Sequence, residues 1–310
     1  MPEEDFTDTS EKKKGVRSMQ QNYVFMTDSD SDLPYTIADE RNIPVVKMPY
    51  ALNGVEYFDD NGRTCDTHEF FQQMRDGAAP VTSLLPTAAY LEYFEPILKE
   101  HDLLFIAFSS EMSKTIQNIY EAREILLKQY PERKFMVVDT LNISAPMSLL
   151  VLQAHDLYRE GKSMEEVAQW VEDNKMRSHA WFTVDDLKYL KRGGRISSTS
   201  AFFGTVLDIK PVLVMGKGGK IDPADKVQGR KKAVKTLVDK TAEYIEHPEE
   251  QEVVLMEADV PEDAKRLTEM LMAKIPTIKS IRVQPVGPVI GAHCGPGTLA
   301  VCFMGRKKDI

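Results

Sequence analysis

Residues 103–140 read LLFIAFSSEMSKTIQNIYEAREILLKQYPERKFMVVDT. LLFIAFS is an apolar run of strand length, and KFMVVDT is a second. Between them, SSEMSKTIQNIYEAREILLKQYP opens on cap-type serines and continues with amphipathic spacing, the pattern of a helix. Strand, helix and strand in that order, with both strands apolar throughout, predict a parallel pair buried on both faces.

Upstream the same alternation recurs. YVFMT (23–27) and IPVVKMPYAL (43–52) read as strands, with LPYTIADERN between them. THEFFQQMRDG (67–77) and AAYLEYFEPILKEHD (88–102) read as helices joined by a turn-like APVTSLLPT. Downstream the pattern loosens. VDDLKYLKRGGRIS (184–197) is a short helix closed by paired glycines, and LDIKPVLVMGKGGKIDPADKV (207–227) reads as two strands joined by a Gly-rich hairpin. Helices at 231–246 and 261–275 alternate with strands at 252–258 and 280–286, and LAVCFMG (299–305) ends the series. The expected fold is α/β in two domains: a mostly parallel sheet domain at 21–176 and an α+β domain at 177–310. Residues 1–20 are polar and charged without apolar periodicity and are set aside as a disordered leader.

A chain of 310 residues with 42% hydrophobic and 28% charged side chains can fill two cores. Its net charge of -9 argues against nucleic acid as a ligand, because phosphate binding draws on a broad basic surface. No run approaches the roughly 18 apolar residues of a membrane span, and MPEEDFTDTSEKKKG lacks the apolar core of a signal peptide, so a cytoplasmic protein is expected. Cys65, Cys294 and Cys302 form no CxxC pair, which indicates reduced thiols and neither a disulfide framework nor a zinc site. GxSxG, HExxH, the P-loop and a GxGxxG after a strand are all absent, so no cofactor is expected.

Hydroxyl-rich and Gly-rich turns stand out instead. Thr27, Asp28 and Ser29 follow a strand, Thr82 and Ser83 precede a helix, and Ser109, Ser110 and Ser113 follow LLFIAF. Ligands of open α/β sheets sit beyond the carboxyl ends of strands, and helix N-termini offer free N–H groups, so these turns are candidates to hold one carboxylate or phosphate. Each is also an ordinary helix cap. In GPVIGAHCGPG (287–297), His293 lies among glycines and prolines, and the stretch reads as a loop aiming an imidazole at a pocket.

Seven ordered segments, TDSDSDLP, VTSLLPT, SSEMSKTIQ, FTVDDLKYLKRGGRIS, LDIKPVLVMGKGGKI, GRKKAV and GPVIGAHCGPG, resemble the motifs of the DegV family in family order. The resemblance covers Tyr23 to Phe303. It implies a two-domain carrier that encloses one long-chain fatty acid and serves as the binding subunit of a fatty acid kinase, a separate ATP-using subunit forming the acyl phosphate. Carried over by motif, Thr82, Ser113 or its neighbours Ser109 and Ser110, and His293 meet the carboxylate, with Ser83 in the same turn. Arg230, Lys231 and Lys232 face the kinase partner or the phosphate, although the same run also reads as the polar start of an amphipathic helix. The chain departs from the family pattern at Leu84 and Leu85 and at Lys114, which bears on head-group anchoring. It departs again at Ala145, Pro146 and Met147, which bear on the shape of the tail channel.

Phe202, Phe203, Val206, Leu207, Ile209 and Val212 surround a Gly-rich stretch and are candidate tail lining, as well as plausible ordinary core. A tail of about fourteen methylenes at roughly 0.8 kcal/mol each supplies on the order of 11 kcal/mol of gross transfer energy, enough to drive binding. The carboxylate needs donors when it leaves water, and hydroxyls, imidazole and helix N–H groups would supply them without a buried counter-ion. Two other readings are open: a small-molecule kinase or acyl hydrolase using Ser113 and His293 as nucleophile and base, and a lipid-sensing regulator that engages no kinase.

Overall fold

The computed structural model describes residues 22–196 and 208–310. The expected leader and the candidate residues Phe202, Phe203, Val206 and Leu207 lie outside the described residues. The first half runs β1 (Tyr23–Asp28), α1 (Tyr35–Arg41), β2 (Val45–Val46), β3 (Pro49–Leu52), β4 (Val55–Phe58), α2 (Thr67–Arg75), β5 (Val81–Thr82), α3 (Thr87–Leu98), β6 (Asp102–Ala107), α4 (Thr115–Gln129), β7 (Phe135–Asp139), α5 (Ser144–Arg159) and α6 (Met164–Asn174). The second runs β8 (Ser178–Thr183), α7 (Lys188–Arg192), β9 (Ile209–Met215), β10 (Ile221–Gln228), α8 (Arg230–Tyr244), β11 (Glu252–Glu257), α9 (Pro261–Lys274), β12 (Ser280–Pro285), α10 (Pro288–Cys294) and β13 (Leu299–Met304).

The stretch at 103–140 folds as its pattern predicts. β6 and β7 pair in parallel with Leu104 opposite Met136, inside a sheet of order β2-β1-β6-β7 whose pairs are all parallel. Every β6 residue from Leu103 to Ala107 is fully buried, as a strand covered on both faces requires. The expected strand at 43–52 is two strands. β2 pairs with β1, whereas β3 turns away to form a small antiparallel sheet with β4 and β5. Pro49 opens β3 and has no N–H with which to extend the first ladder, which places the break there.

The second sheet has order β10-β9-β8-β13-β11-β12, with only β11 and β12 parallel among its pairs. Its strands carry apolar residues on both faces, and the period of two sorts them into different cores. Trp181, Val214, Leu255 and Val301 pack with α8 and α9. Their chain neighbours Phe182, Met215, Met256 and Ala300 point the other way, into the core shared with α5 and the parallel sheet.

The Gly-rich hairpin between β9 and β10 forms as expected, and its tip fastens one sheet to the other. The Ser109 hydroxyl, fully buried after β6, donates to the Gly219 carbonyl at 2.8 Å. Gly219 has φ +70°, and a Cβ there would lie 2.8 Å from Ser109 Oγ, so glycine is required on both conformational and steric grounds. Ser109→Ala leaves this carbonyl without its side-chain donor. The expected result is a loss of about 1–3 kcal/mol, read as a lower urea midpoint at unchanged m-value.

Candidate functional site

The inner face of the second sheet, α10 and the carboxyl ends of β1 and β6 enclose a cavity of about 920 Å³, its open mouth included. Its wall is mostly apolar. Phe182, Met215, Ile221 and Met256 come from the sheet, Phe108 and Met112 from the turn after β6, and Val289 and Ile290 from α10. The space exists because the central strands present small side chains there. Ala180 pairs with Cys302, and Phe182 with Ala300, and Ala180, Ala300 and Cys302 all line the cavity.

Polar groups also belong to this wall. Thr82 Oγ1 lies 2.8 Å from His293 Nε2, and both line the cavity with Ser83 and Ser113. The small sheet delivers Thr82, because β5 pairs with β3 through Tyr50 opposite Thr82. His293 sits on α10, so the expected loop is a short helix: Pro288 occupies its first turn and Gly295 closes it at φ +77°. The imidazole rests on Gly193, where a Cβ would lie 2.2 Å from Nδ1. Burial, with Arg195 and Arg192 nearby, pushes His293 down to about 4, so the ring is neutral at physiological pH. Its Nδ1 has no hydrogen-bond partner among the described residues. Arg195, half-buried, also lines the cavity, a cation that the expected set of neutral donors did not include. It follows the paired glycines in GGRIS, and that position was its one sequence signal.

The turn after β1 holds an acidic group that the sequence reading noted only through Asp28. Asp28, Asp30, Asp32 and Asp59 are all buried. Asp28 accepts from the N–H groups of Phe108 and Asp30, and Asp32 accepts from the Gly287 N–H and the Ser144 hydroxyl. Burial pushes Asp32 up to about 8 and Asp59 up to about 7, and it raises Asp28 and Asp30 as well. Asp30 lines the cavity beside Arg195, and the alternating acids of TDSDSD were the sign of it.

Other expected site residues lie elsewhere. Ser109 and Ser110 do not line the cavity: Ser109 holds the hairpin, and the Ser110 N–H donates to Asp139. The serine-rich turn places no side-chain cap on α4; Lys114 is its N-cap, and the Ser113 hydroxyl accepts from the Thr115 N–H at 3.2 Å. No hydrogen bond joins Ser113 to His293 among the described residues, and the hydroxyl paired with the imidazole belongs to Thr82. Ile209 opens β9 away from the cavity, and Val212 packs under α8 and α9. Of the three departures in α5, Pro146 lines the cavity while Ala145 and Met147 are buried behind it. Arg230 is held at 2.8 Å by Asp263 and at 3.5 Å by Asp185, which ties it into the fold, whereas Lys231 and Lys232 are exposed on the first turn of α8. Cys65, Cys294 and Cys302 are free thiols.

A family profile described as an uncharacterised protein of the DegV family matches residues 23–306. The chain belongs to the DegV family. A DegV domain-containing protein of Clostridium perfringens is 38% identical over 288 residues, 93% of this chain and 99% of that protein. Among solved structures, a DegV protein of Thermus thermophilus described for its fatty acid binding superposes with a TM-score of 0.82 at 30% identity, covering 92% of this chain and 100% of the other. The fatty acid binding DegV protein of Streptococcus agalactiae gives 0.79 at 26% identity, covering 93% and 100%. DegV proteins of known structure thus bind fatty acids, and this chain shares their fold along nearly its whole length. No helix among the described residues is long and apolar enough to cross a membrane.

Two outcomes follow for this DegV chain. Gly193→Ala forces the His293 imidazole off its seat and should break its contact with Thr82, which the His293 ring signals in an NMR spectrum report. The buried acids titrate above their ordinary 3.8, so their stabilising contribution is whole below that value and is lost as pH rises toward 7 to 8. His155, His179 and His293, each pushed down to about 4, act in the opposite sense below their ordinary 6.5, and Lys308, pushed down to about 7, does so above that pH. The melting temperature should fall from about pH 6.5 to about pH 8, and more shallowly in Asp32→Asn, as differential scanning fluorimetry would show.

Proposed function

We propose that this chain binds one long-chain fatty acid in the cavity and presents its carboxylate to a separate ATP-dependent kinase subunit, which forms the acyl phosphate. The observation that carries the reading is a mostly apolar cavity whose polar lining includes the Thr82–His293 contact. The fatty acid binding of DegV relatives with the same fold supports it.

A tail of about fourteen methylenes brings roughly 11 kcal/mol of gross transfer energy, against an association cost of about 4 kcal/mol or more. The head group is the costly part, and the polar groups answer that cost. With Nε2–H of the neutral imidazole donating to Thr82 Oγ1, the threonine hydroxyl is left to donate to the ligand, and Ser113 adds a second hydroxyl. Arg195 supplies positive charge beside them.

The kinase partner supplies the chemistry in this reading, and the protein works in the cytoplasm without a cofactor of its own. Residues 21–176 and 177–310 serve as two domains with the cavity between their sheets. Lys231 and Lys232, exposed at the start of α8, are the basic groups open to a partner, while Arg230 keeps α8 tied to α9 and the loop after β8.

Organic extraction of the purified protein followed by mass spectrometry should release one fatty acid per chain. A lipid-free extract from protein that also fails to take up palmitate or oleate would overturn the reading. Adding ATP and a bacterial fatty acid kinase subunit should then yield acyl phosphate. Thr82→Val and His293→Ala should lower that yield more than they lower tail affinity, because the apolar wall is unchanged.

A further inference from the structure

Asp30 differs from its acidic neighbours in what reaches it. The residue is 3% exposed in the single 3-10 turn Ser29–Ser31, and it lines the cavity. The carboxyls of Asp28, Asp32 and Asp59 each accept a backbone N–H, from Phe108 and Asp30, from Gly287, and from Asn61 respectively. Asp30 Oδ1 has no partner among the described residues. The groups whose charge bears on it are Asp28 from β1, Asp32 from the end of its own turn, Asp59 from the loop after β4, and Arg195 from beyond α7. Arg195, with Arg192 of α7, in turn bears on His293 of α10, which is neutral. Arg195 is thus the one cation among these groups that lines the cavity, and Asp30 is the carboxyl whose charge bears on it.

An ionised Asp30 would be a buried charge with no donor to its Oδ1 among the described residues, repelled by three other acids. Adding a ligand carboxylate to the same wall would raise that repulsion further. A neutral Asp30 reverses the situation, since a protonated carboxyl carries an O–H donor, and a hydrogen bond from such a group to a carboxylate is short and strong.

We infer that Asp30, held as a neutral carboxylic acid, donates a hydrogen bond to the carboxylate of the bound fatty acid and is a head-group residue alongside Thr82 and His293. This rests on the fatty acid reading above. It makes Asp30 a selector for an anionic, hydrogen-bond-accepting head, and it gives binding an alkaline limit, where the donor becomes a repelling anion.

The experiment compares palmitate with 1-hexadecanol, which has the same tail and an uncharged head, by equilibrium binding to the full chain from pH 7 to pH 9.5. Palmitate should weaken by at least about tenfold across that span while 1-hexadecanol holds steady. In Asp30→Asn, whose amide remains a donor at every pH, the palmitate dependence should flatten. Palmitate affinity that is independent of pH, an equal decline for both ligands, or an alkaline decline that persists in Asp30→Asn would each overturn the inference. Failure of wild-type protein to bind palmitate at any pH would sink the fatty acid reading itself. The comparison of two ligands on the wild-type chain stands whether or not the variant folds.

Discussion

Ala180, Ala300 and Cys302 stand together on the inner face of β8 and β13, the two central strands of the larger sheet. Protein interiors are close-packed, and a site where three neighbouring side chains stop short is a site where the packing is interrupted on purpose or filled by something else. Phe182, Met215 and Met256 flank the gap and give it an apolar wall. The rest of the arrangement depends on this shortfall of volume, because a leucine at any of the three positions would occupy the space that the polar groups of α10 and β5 look onto.

Electrostatics at the head end follow from the same burial. Burial makes His293 give up its proton and the neighbouring acids keep theirs, the same desolvation cause with opposite consequences for charge. What remains charged is Arg195, whose positive form burial disfavours and the neighbouring Asp30 favours. An anion entering here would meet neutral donors and one cation, with no bidentate clamp to cover both of its oxygens.

Much of this was legible in the residues. The strand–helix–strand run at 103–140 announced the parallel sheet because its apolar stretches had strand length and its helix had a face. The hairpin announced itself through GKGG. Thr82, Ser83, Ser113 and His293 stood out because hydroxyls and a histidine among glycines are conspicuous locally, and the fold brings all four to one cavity. Ser109 looked identical to Ser113 in sequence, and only the arrival of Gly219, 110 positions later, decides that it is a fastening. Ile209 and Val212 stand off the cavity for a related reason: they are as apolar as Met215, and which of them faces it depends on strand phase relative to a helix the sequence does not tie to them. Asp30 and Arg195 were passed over because a lone acid and a lone arginine carry no spacing signal.

The two-faced sheet has an evolutionary corollary. Along β8, β11 and β13, alternate positions serve the α8–α9 core and the cavity, so neighbouring codons answer to different selective pressures. Trp181, Leu255 and Val301 are constrained by thermodynamic integrity, while Ala180, Met256 and Ala300 can be exchanged to resize the chamber with the opposite layer undisturbed. The size and shape of the chamber in such a scaffold can drift by single substitutions, one strand residue at a time, without renegotiating how the protein folds.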